Sequence, residues 1–101
     1  MQDLSAFAYP IFEVEFWNDQ WWSIPPDTSL ELYQMKANGA DCGGYVWNWH
    51  GARNGSFILE GQATGLSRYL IDFNEMTQKN LDKDDSKIRN VRIVWIAKPE
   101  V

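Results

Sequence analysis

Short segments in which apolar and polar residues alternate recur along this chain, and they constrain its fold more than any other feature. Residues 11–17 read IFEVEFW, so that Phe12, Val14 and Phe16 alternate with glutamates. Successive side chains of a strand point to opposite faces of a sheet, and this alternation therefore predicts a half-buried strand. Further strands are predicted at residues 21–24, 45–49, 56–59, 68–73, 76–80 and 88–96. Tyr45, Trp47 and Trp49 alternate on one side of their strand, and residues 56–59 can return beside it as a hairpin. Strands this close in sequence are expected to pair as an antiparallel meander.

One segment carries the signals of a helix. Thr28 is followed three residues later by Glu31, which is the capping-box pattern of a helix N-terminus. Leu32 and Met35 follow at helical spacing and predict a buried stripe, and Gly39 is suited to the position just after the last turn. The pattern predicts a helix from about Thr28 to near Gly39. One helix among six or seven strands predicts an antiparallel α+β domain.

Length, charge and cysteine content narrow the class of protein. A chain of 101 residues fits one domain, 1–101, with a core over about residues 11–96. The net charge of −5 argues against duplex nucleic acid as a partner, because proteins that bind it are normally basic. No apolar run reaches the roughly 18 residues that a membrane helix needs. The first ten residues lack the pattern of a signal peptide, and the single cysteine, Cys42, suits a reducing compartment. We therefore expect an intracellular protein, cytoplasmic or nuclear, with no membrane partner.

The sequence offers little that could perform catalysis or bind a metal. His50 is the only histidine, and no nucleophile motif such as Gly-x-Ser-x-Gly accompanies it. One histidine and one cysteine cannot complete a four-ligand structural zinc site. We therefore expect a non-catalytic protein that needs no metal or cofactor.

The six tryptophans need a reason beyond a small core. Trp21 and Trp22 are adjacent, so on a strand one faces the core and the other faces outward. An exposed indole is a stacking platform for a purine or a sugar. Burial of both indoles under the helix and a loop is the alternative, and the pattern alone does not choose between them.

Two segments of the chain carry a specific pattern. Residues 12–32 read FEVEFWNDQWWSIPPDTSLEL, and residues 69–80 read YLIDFNEMTQKN, followed by KIRN at 87–90. Together they resemble the WWE domain family. The family has an aromatic first strand, a Trp after a short turn, and a helix opened by Ser or Thr with Glu. It ends with the pattern Tyr-x-Ile-Asp-Phe-x-x-Met-x-Gln-x-Asn and a basic strand, and the second segment matches every fixed position of that pattern. The resemblance covers about residues 11–39 and 57–92.

The resemblance implies both a fold and a function. WWE domains are half-barrels of antiparallel strands wrapped on one helix, so we expect a half-barrel of about six strands. They are non-enzymatic modules of ubiquitin ligases and ADP-ribosyltransferases. Several bind poly(ADP-ribose) through its iso-ADP-ribose unit, some bind terminal ADP-ribose or ATP, and others have no known nucleotide ligand. The implied partner is an ADP-ribose-type ligand or an ADP-ribosylated protein, in a possible ubiquitin-ligase context.

The resemblance also implies roles for particular residues. Trp21 corresponds to a core Trp of the family, and Asp72 to a residue that ties down a turn. The positions implied to contact a ligand, or to stand where binders contact it, are Phe16, Trp22, Tyr69, Gln78 and Ser86, and the nearby Arg89 is a further candidate because it could compensate for Ser86. Among these, Phe16 is an aromatic of the first strand, and Trp22 would line the adenine end of the pocket. Tyr69 and Gln78 would contact the ligand directly.

The chain departs from the family at two places. Binders carry an Arg two residues before the Ile of the last basic strand, where it contacts phosphate, and here that residue is Ser86. Loss of a charge-assisted hydrogen bond predicts an affinity for diphosphate lower by about ten- to a hundredfold, unless Arg53 or Arg89 compensates. Residues 40–56 are also longer than the usual connection, and we expect an extra hairpin there that could roof or block the pocket.

Three kinds of binding module remain open. The first recognises ADP-ribose-containing or adenine nucleotides. The second is a protein-interaction module of the same fold without nucleotide binding; Ser86 favours it, while Tyr69, Gln78 and Trp22 oppose it. The third is a carbohydrate-binding module that stacks sugars on exposed indoles. Such a module predicts a secreted chain, and the sequence shows neither a signal peptide nor a cysteine pair.

Overall fold

Six antiparallel strands and one helix make up the regular structure of the described residues. The structure is a computed structural model and describes residues 8–16, 19–49, 66–83 and 87–97. The elements are β1 (Ala8–Phe16), β2 (Gln20–Ser23), α1 (Pro26–Ala37), β3 (Cys42–Trp47), β4 (Ser67–Asp72), β5 (Thr77–Asn80) and β6 (Arg89–Ala97). The strands form one sheet in the order β2-β1-β6-β5-β4-β3. This half-barrel sheet with one helix confirms the predicted α+β class.

The long strand β6 joins the two parts of the sheet. Its first residues, Arg89 and Asn90, pair with β5, while the segment from Val91 to Ala97 pairs with β1. Strands β3 to β6 follow one another as the expected meander, and β1 and β2 form a hairpin. The pairing of β6 with β1, at the two ends of the sequence, completes the sheet. It brings residues of the first and last strands onto one face.

The core lies on the concave face of the sheet, which is the face toward α1. Phe12 and Val14 are fully buried on β1, and Leu32 of the helix packs into the same cluster. Phe12 also contacts Phe73, with 6.1 Å between the ring centroids. The glutamates between the apolar residues of β1 are only partly buried, so the predicted alternation of this strand is confirmed.

The helix begins two residues before the predicted capping box, and no side chain caps it. Its first residue is Pro26, whose missing N–H is no loss at a position that has no hydrogen-bond partner in a helix. Ser29, rather than Thr28, makes the decisive hydrogen bonds at this end. Its hydroxyl accepts from the backbone N–H of Phe12 at 3.1 Å and donates to the carbonyl of Ile24 at 2.9 Å. A bond that ties the helix to the first strand thus replaces the expected local cap.

The helix ends as its sequence predicts. Gly39 has a φ of +92°, and its N–H donates to the carbonyl of Lys36 at 3.0 Å. The N–H of Ala40 donates to the carbonyl of Met35, also at 3.0 Å. These two hydrogen bonds form a Schellman motif. Within the described part of the chain, no helix is long and apolar enough to cross a membrane.

Of the two helix residues predicted to be buried, only Leu32 is. Met35 keeps 38% of its surface exposed, because it lies at the rim of the contact between α1 and β3. Gly43 allows that contact to be close. A Cβ built on Gly43 would lie 2.8 Å from the Phe73 ring and 3.0 Å from both Leu32 and Met35.

The segment expected to open an inserted hairpin belongs to the main sheet. Residues 45–49 were predicted to pair with residues 56–59, but β3 pairs with β4 over six residues, from Cys42 opposite Asp72 to Trp47 opposite Ser67. The described part of the expected 40–56 insertion therefore contains a strand of the half-barrel. The connection between β3 and β4 spans residues 48–66, and residues 56–59 lie outside the described residues.

Candidate functional site

Five of the six predicted ligand residues lie on the concave face, and four of these converge from four different strands. These four are Phe16 of β1, Tyr69 of β4, Gln78 of β5 and Arg89 of β6, and we call them the candidate site. Gln78 lies directly opposite Arg89, and the guanidinium carbon of Arg89 lies 4.5 Å from the centroid of the Phe16 ring. The pairing of β6 with both β5 and β1 produces this juxtaposition.

Phe16 forms a wall of the site rather than an open platform. Phe16 is 9% exposed, and Arg89 lies over one face of its ring. The indole of Trp49 packs against it with 5.2 Å between centroids and 56° between planes. A cation held over an aromatic ring is stabilised by the ring's negative face. The ring therefore fixes where the Arg89 charge sits.

Tyr69 is the half-buried aromatic of the site. It stacks on Tyr45, with 5.3 Å between centroids and 24° between planes. Burial raises the pKa of Tyr69, while a hydrogen bond with Ser67 and the charge of Arg89 act in the opposite direction. The phenol is consequently neutral at pH 7 and can both donate and accept a hydrogen bond.

Gln78 is almost completely buried, with 3% of its surface exposed, and a short hydrogen-bond chain holds it. The hydroxyl of Tyr45 donates to Gln78 Oε1. The indole Nε1–H of Trp49 donates to the same Tyr45 oxygen at 3.0 Å. Burial raises the pKa of Tyr45 far above its ordinary value, so this hydroxyl keeps its proton.

Sequence reasoning missed Tyr45 and Trp49 as residues of this region. It assigned both to an added hairpin, although their alternation had already placed them on one side of a strand. Tyr45 pairs directly with Tyr69, which puts the two rings on the same face. The alternating residues of β3 face the same side as those of β4, and this identifies Tyr45 and Trp49 as neighbours of the site. The sequence alone does not reveal it, because the pairing of the two strands must be known first.

Of the two adjacent tryptophans, Trp21 lies on the opposite face from the predicted one. Trp22 lies opposite Val14 and packs against the core cluster, whereas Trp21 lies opposite Glu15 on the convex face. The guanidinium carbon of Arg92 lies 4.1 Å from the centroid of the Trp21 ring. The assignment of Trp21 to the core was therefore wrong. Trp22 shares the concave face with the candidate site, but its described packing is with the core.

Asp72 ties down a turn, as the resemblance implied. Its Oδ1 accepts the backbone N–H groups of Asn74 at 2.9 Å and Glu75 at 3.0 Å. This bonding fixes the connection from β4 to β5, and through it the position of Gln78 relative to Tyr69.

Two of the predicted contributors to phosphate binding lie outside the described residues, namely Ser86 and Arg53. Among the described residues, Arg89 places a positive charge at the candidate site. In the same ranges no group of three or more histidines, cysteines or carboxylates is arranged to hold a metal ion.

Comparison with known proteins adds no family to this picture. No protein-family model matches the chain, and no curated protein matches it.

Proposed function

We propose that this domain is a non-catalytic recognition module of WWE type that binds ADP-ribose-containing ligands, such as poly(ADP-ribose), at the candidate site. The observation that carries the proposal is the convergence of Phe16, Tyr69, Gln78 and Arg89 from four strands onto one concave face. An aromatic ring, an amide and a guanidinium are the groups that suit a base, its polar edge and a phosphate, respectively.

Arg89 takes the charge-bearing part in this proposal. Its guanidinium carbon lies 4.5 Å from the centroid of the Phe16 ring, which places the charge at the candidate site. Arginine can donate two parallel hydrogen bonds to a phosphate. Arg89 would thus offset, in part, the neutral Ser86, and we expect measurable but weak binding of diphosphate ligands.

The site is proposed to bind rather than to react. Burial raises the pKa values of both Tyr45 and Tyr69, so their phenols serve as hydrogen-bonding groups and not as bases at neutral pH. The same WWE-type hypothesis implies an intracellular setting, an ADP-ribosylated partner and a ubiquitin-ligase context for the whole protein. They are part of the proposal.

A ligand panel separates the three kinds of module. Thermal denaturation of the domain is followed with ADP-ribose, iso-ADP-ribose, ATP, poly(ADP-ribose) and a set of oligosaccharides, because a ligand that binds only the native state raises the melting temperature. The proposal expects shifts with the ADP-ribose ligands. A shift with oligosaccharides alone would favour a carbohydrate-binding module, and no shift with any of them would favour a protein-interaction module.

A further inference from the structure

The hydrogen-bond chain behind the candidate site has a fixed direction. Trp49 Nε1–H can only donate, so the Tyr45 oxygen must accept from it. The single proton of the Tyr45 hydroxyl is then directed at Gln78, and Gln78 must present its oxygen to receive it. We call Trp49, Tyr45 and Gln78 the relay.

The direction of the relay determines which atoms of Gln78 remain for a ligand. A glutamine amide has one oxygen, which accepts, and one nitrogen with two N–H donors. With Oε1 turned toward Tyr45, the Nε2 group carries the donors of this side chain. If the amide were rotated by half a turn, Nε2 would face the Tyr45 hydroxyl, and the hydroxyl proton would lose its acceptor. That arrangement is costly for a side chain with only 3% exposure.

Resting on the proposed function, we propose that Tyr45 and Trp49 are positioning residues that hold the Gln78 amide in one orientation. The site thereby offers N–H donors at this point. It selects a ligand that carries a hydrogen-bond acceptor there, such as a ring nitrogen, a carbonyl or a phosphate oxygen.

The relay also supports the aromatic walls of the site. Tyr45 stacks on Tyr69 at 5.3 Å, and Trp49 packs on Phe16 at 5.2 Å. Each positioning residue therefore touches one candidate-site ring and takes part in orienting the amide. Replacing Tyr45 with Phe keeps the ring stack and removes only the hydroxyl, which separates the two roles.

The experiment compares Tyr45→Phe with Tyr33→Phe as a matched control. The Tyr33→Phe variant also loses one hydroxyl, but the Tyr33 ring packs edge-on against Trp95 and Tyr33 takes no part in the relay. The affinity for ADP-ribose is measured by calorimetry, and the Gln78 side-chain amide of the free protein is observed by NMR. We expect Tyr45→Phe to bind about three- to tenfold more weakly, the size of one neutral hydrogen bond. We also expect its Gln78 amide signals to broaden as the amide gains a second orientation. Tyr33→Phe should match the wild type in both measurements.

A second variant tests the orientation directly. Gln78→Glu keeps an acceptor for the Tyr45 hydroxyl but replaces both N–H donors with a carboxylate oxygen. We expect its loss of affinity to exceed that of Tyr45→Phe. Equal binding by Gln78→Glu and wild type, or an unchanged Gln78 amide spectrum in Tyr45→Phe, would overturn the relay. If wild type itself does not bind ADP-ribose, the proposed function fails and donor selection fails with it. The amide spectra then decide separately whether the relay orients Gln78.

Discussion

Ser29→Ala is the substitution whose cost follows most directly from the structure. Ser29 is fully buried, and its hydroxyl bridges the backbone N–H of Phe12 and the carbonyl of Ile24. The backbone N–H of Ile24 also donates to the Phe12 carbonyl, at 2.8 Å. Ile24 lies just after the end of β2, so the Ser29 hydroxyl adds a second link between Phe12 and Ile24 where the strand pairing has ended. Alanine leaves one buried donor and one buried acceptor unpaired.

The expected cost follows from those two groups. Each buried unpaired group costs about 1–3 kcal/mol, and the higher helix propensity of Ala returns about 0.5 kcal/mol. We expect Ser29→Ala to lower the free energy of unfolding by about 1.5–5.5 kcal/mol, measured by urea denaturation with an unchanged m-value. Thr28→Ala is the control, because Thr28 makes no capping bond, and it should change stability by less than about 0.5 kcal/mol. A loss of 1 kcal/mol or more for Thr28→Ala, the usual cost of a removed cap, with a smaller loss for Ser29→Ala would refute this reasoning and restore the capping box.

Three further predictions concern packing and pH. Trp22→Ala should cost about 2–4 kcal/mol of stability, because the indole packs against the core. Trp21→Ala should cost about 1 kcal/mol or less, the worth of a cation–π contact at the surface. Chemical denaturation that ranks the two variants in the reverse order would contradict the assigned faces. Gly43→Ala should destabilise the domain by about 1–3 kcal/mol through overpacking, because its Cβ would lie 2.8 Å from the Phe73 ring. A melting temperature equal to that of wild type would contradict this expectation and would show that α1 and β3 can move apart to admit the methyl group. Hydrogen bonds from the guanidinium and the backbone N–H of Arg68, together with the attraction of its charge, lower the pKa of Asp82. Their contribution to stability is present above the unfolded pKa and is lost as the pH falls below about 4. Asp82→Asn should remove that acid-side loss in denaturation curves measured across this range, and an unchanged curve would argue against the ion pair.

The strands of the described residues and helix α1 can largely be predicted from the sequence, because alternation and turn signals act locally. The burial of Phe12, Val14 and Phe16 on one face of β1 follows from period two alone. The Gly39 termination of the helix follows from the φ that its Schellman motif requires. Each of these features depends on residues that are close neighbours in the chain.

The features that sequence reasoning missed depend on pairing between distant segments. The helix start was misplaced because Ser29 bonds to Phe12, 17 residues away, in preference to a local cap. The faces of Trp21 and Trp22 depend on the register of β2 against β1. The sequence of β2 alone is compatible with either tryptophan facing the core.

The candidate site divides in the same way. Tyr69 and Gln78 were predicted because a sequence pattern carries them, and the structure brings them onto one face with Phe16 and Arg89. Tyr45 was missed because β3 reaches β4 across the long connection of residues 48–66, and a nearer partner at 56–59 had been assigned to it.

The most direct measurement of the central claim is calorimetric titration of ADP-ribose into wild type, Arg89→Gln and Arg92→Gln. Both arginines lie on β6 over an aromatic ring, Arg89 on Phe16 at the candidate site and Arg92 on Trp21 on the convex face. Both guanidinium groups lie over an aromatic ring but on opposite faces of the sheet, and Arg92 also forms an ion pair with Glu13 at 2.7 Å. The proposal predicts that Arg89→Gln weakens binding by about ten- to a hundredfold, the worth of a charge-assisted hydrogen bond, while Arg92→Gln binds as wild type does. Equal affinities for all three proteins, or no binding by wild type, would contradict a nucleotide site on the concave face.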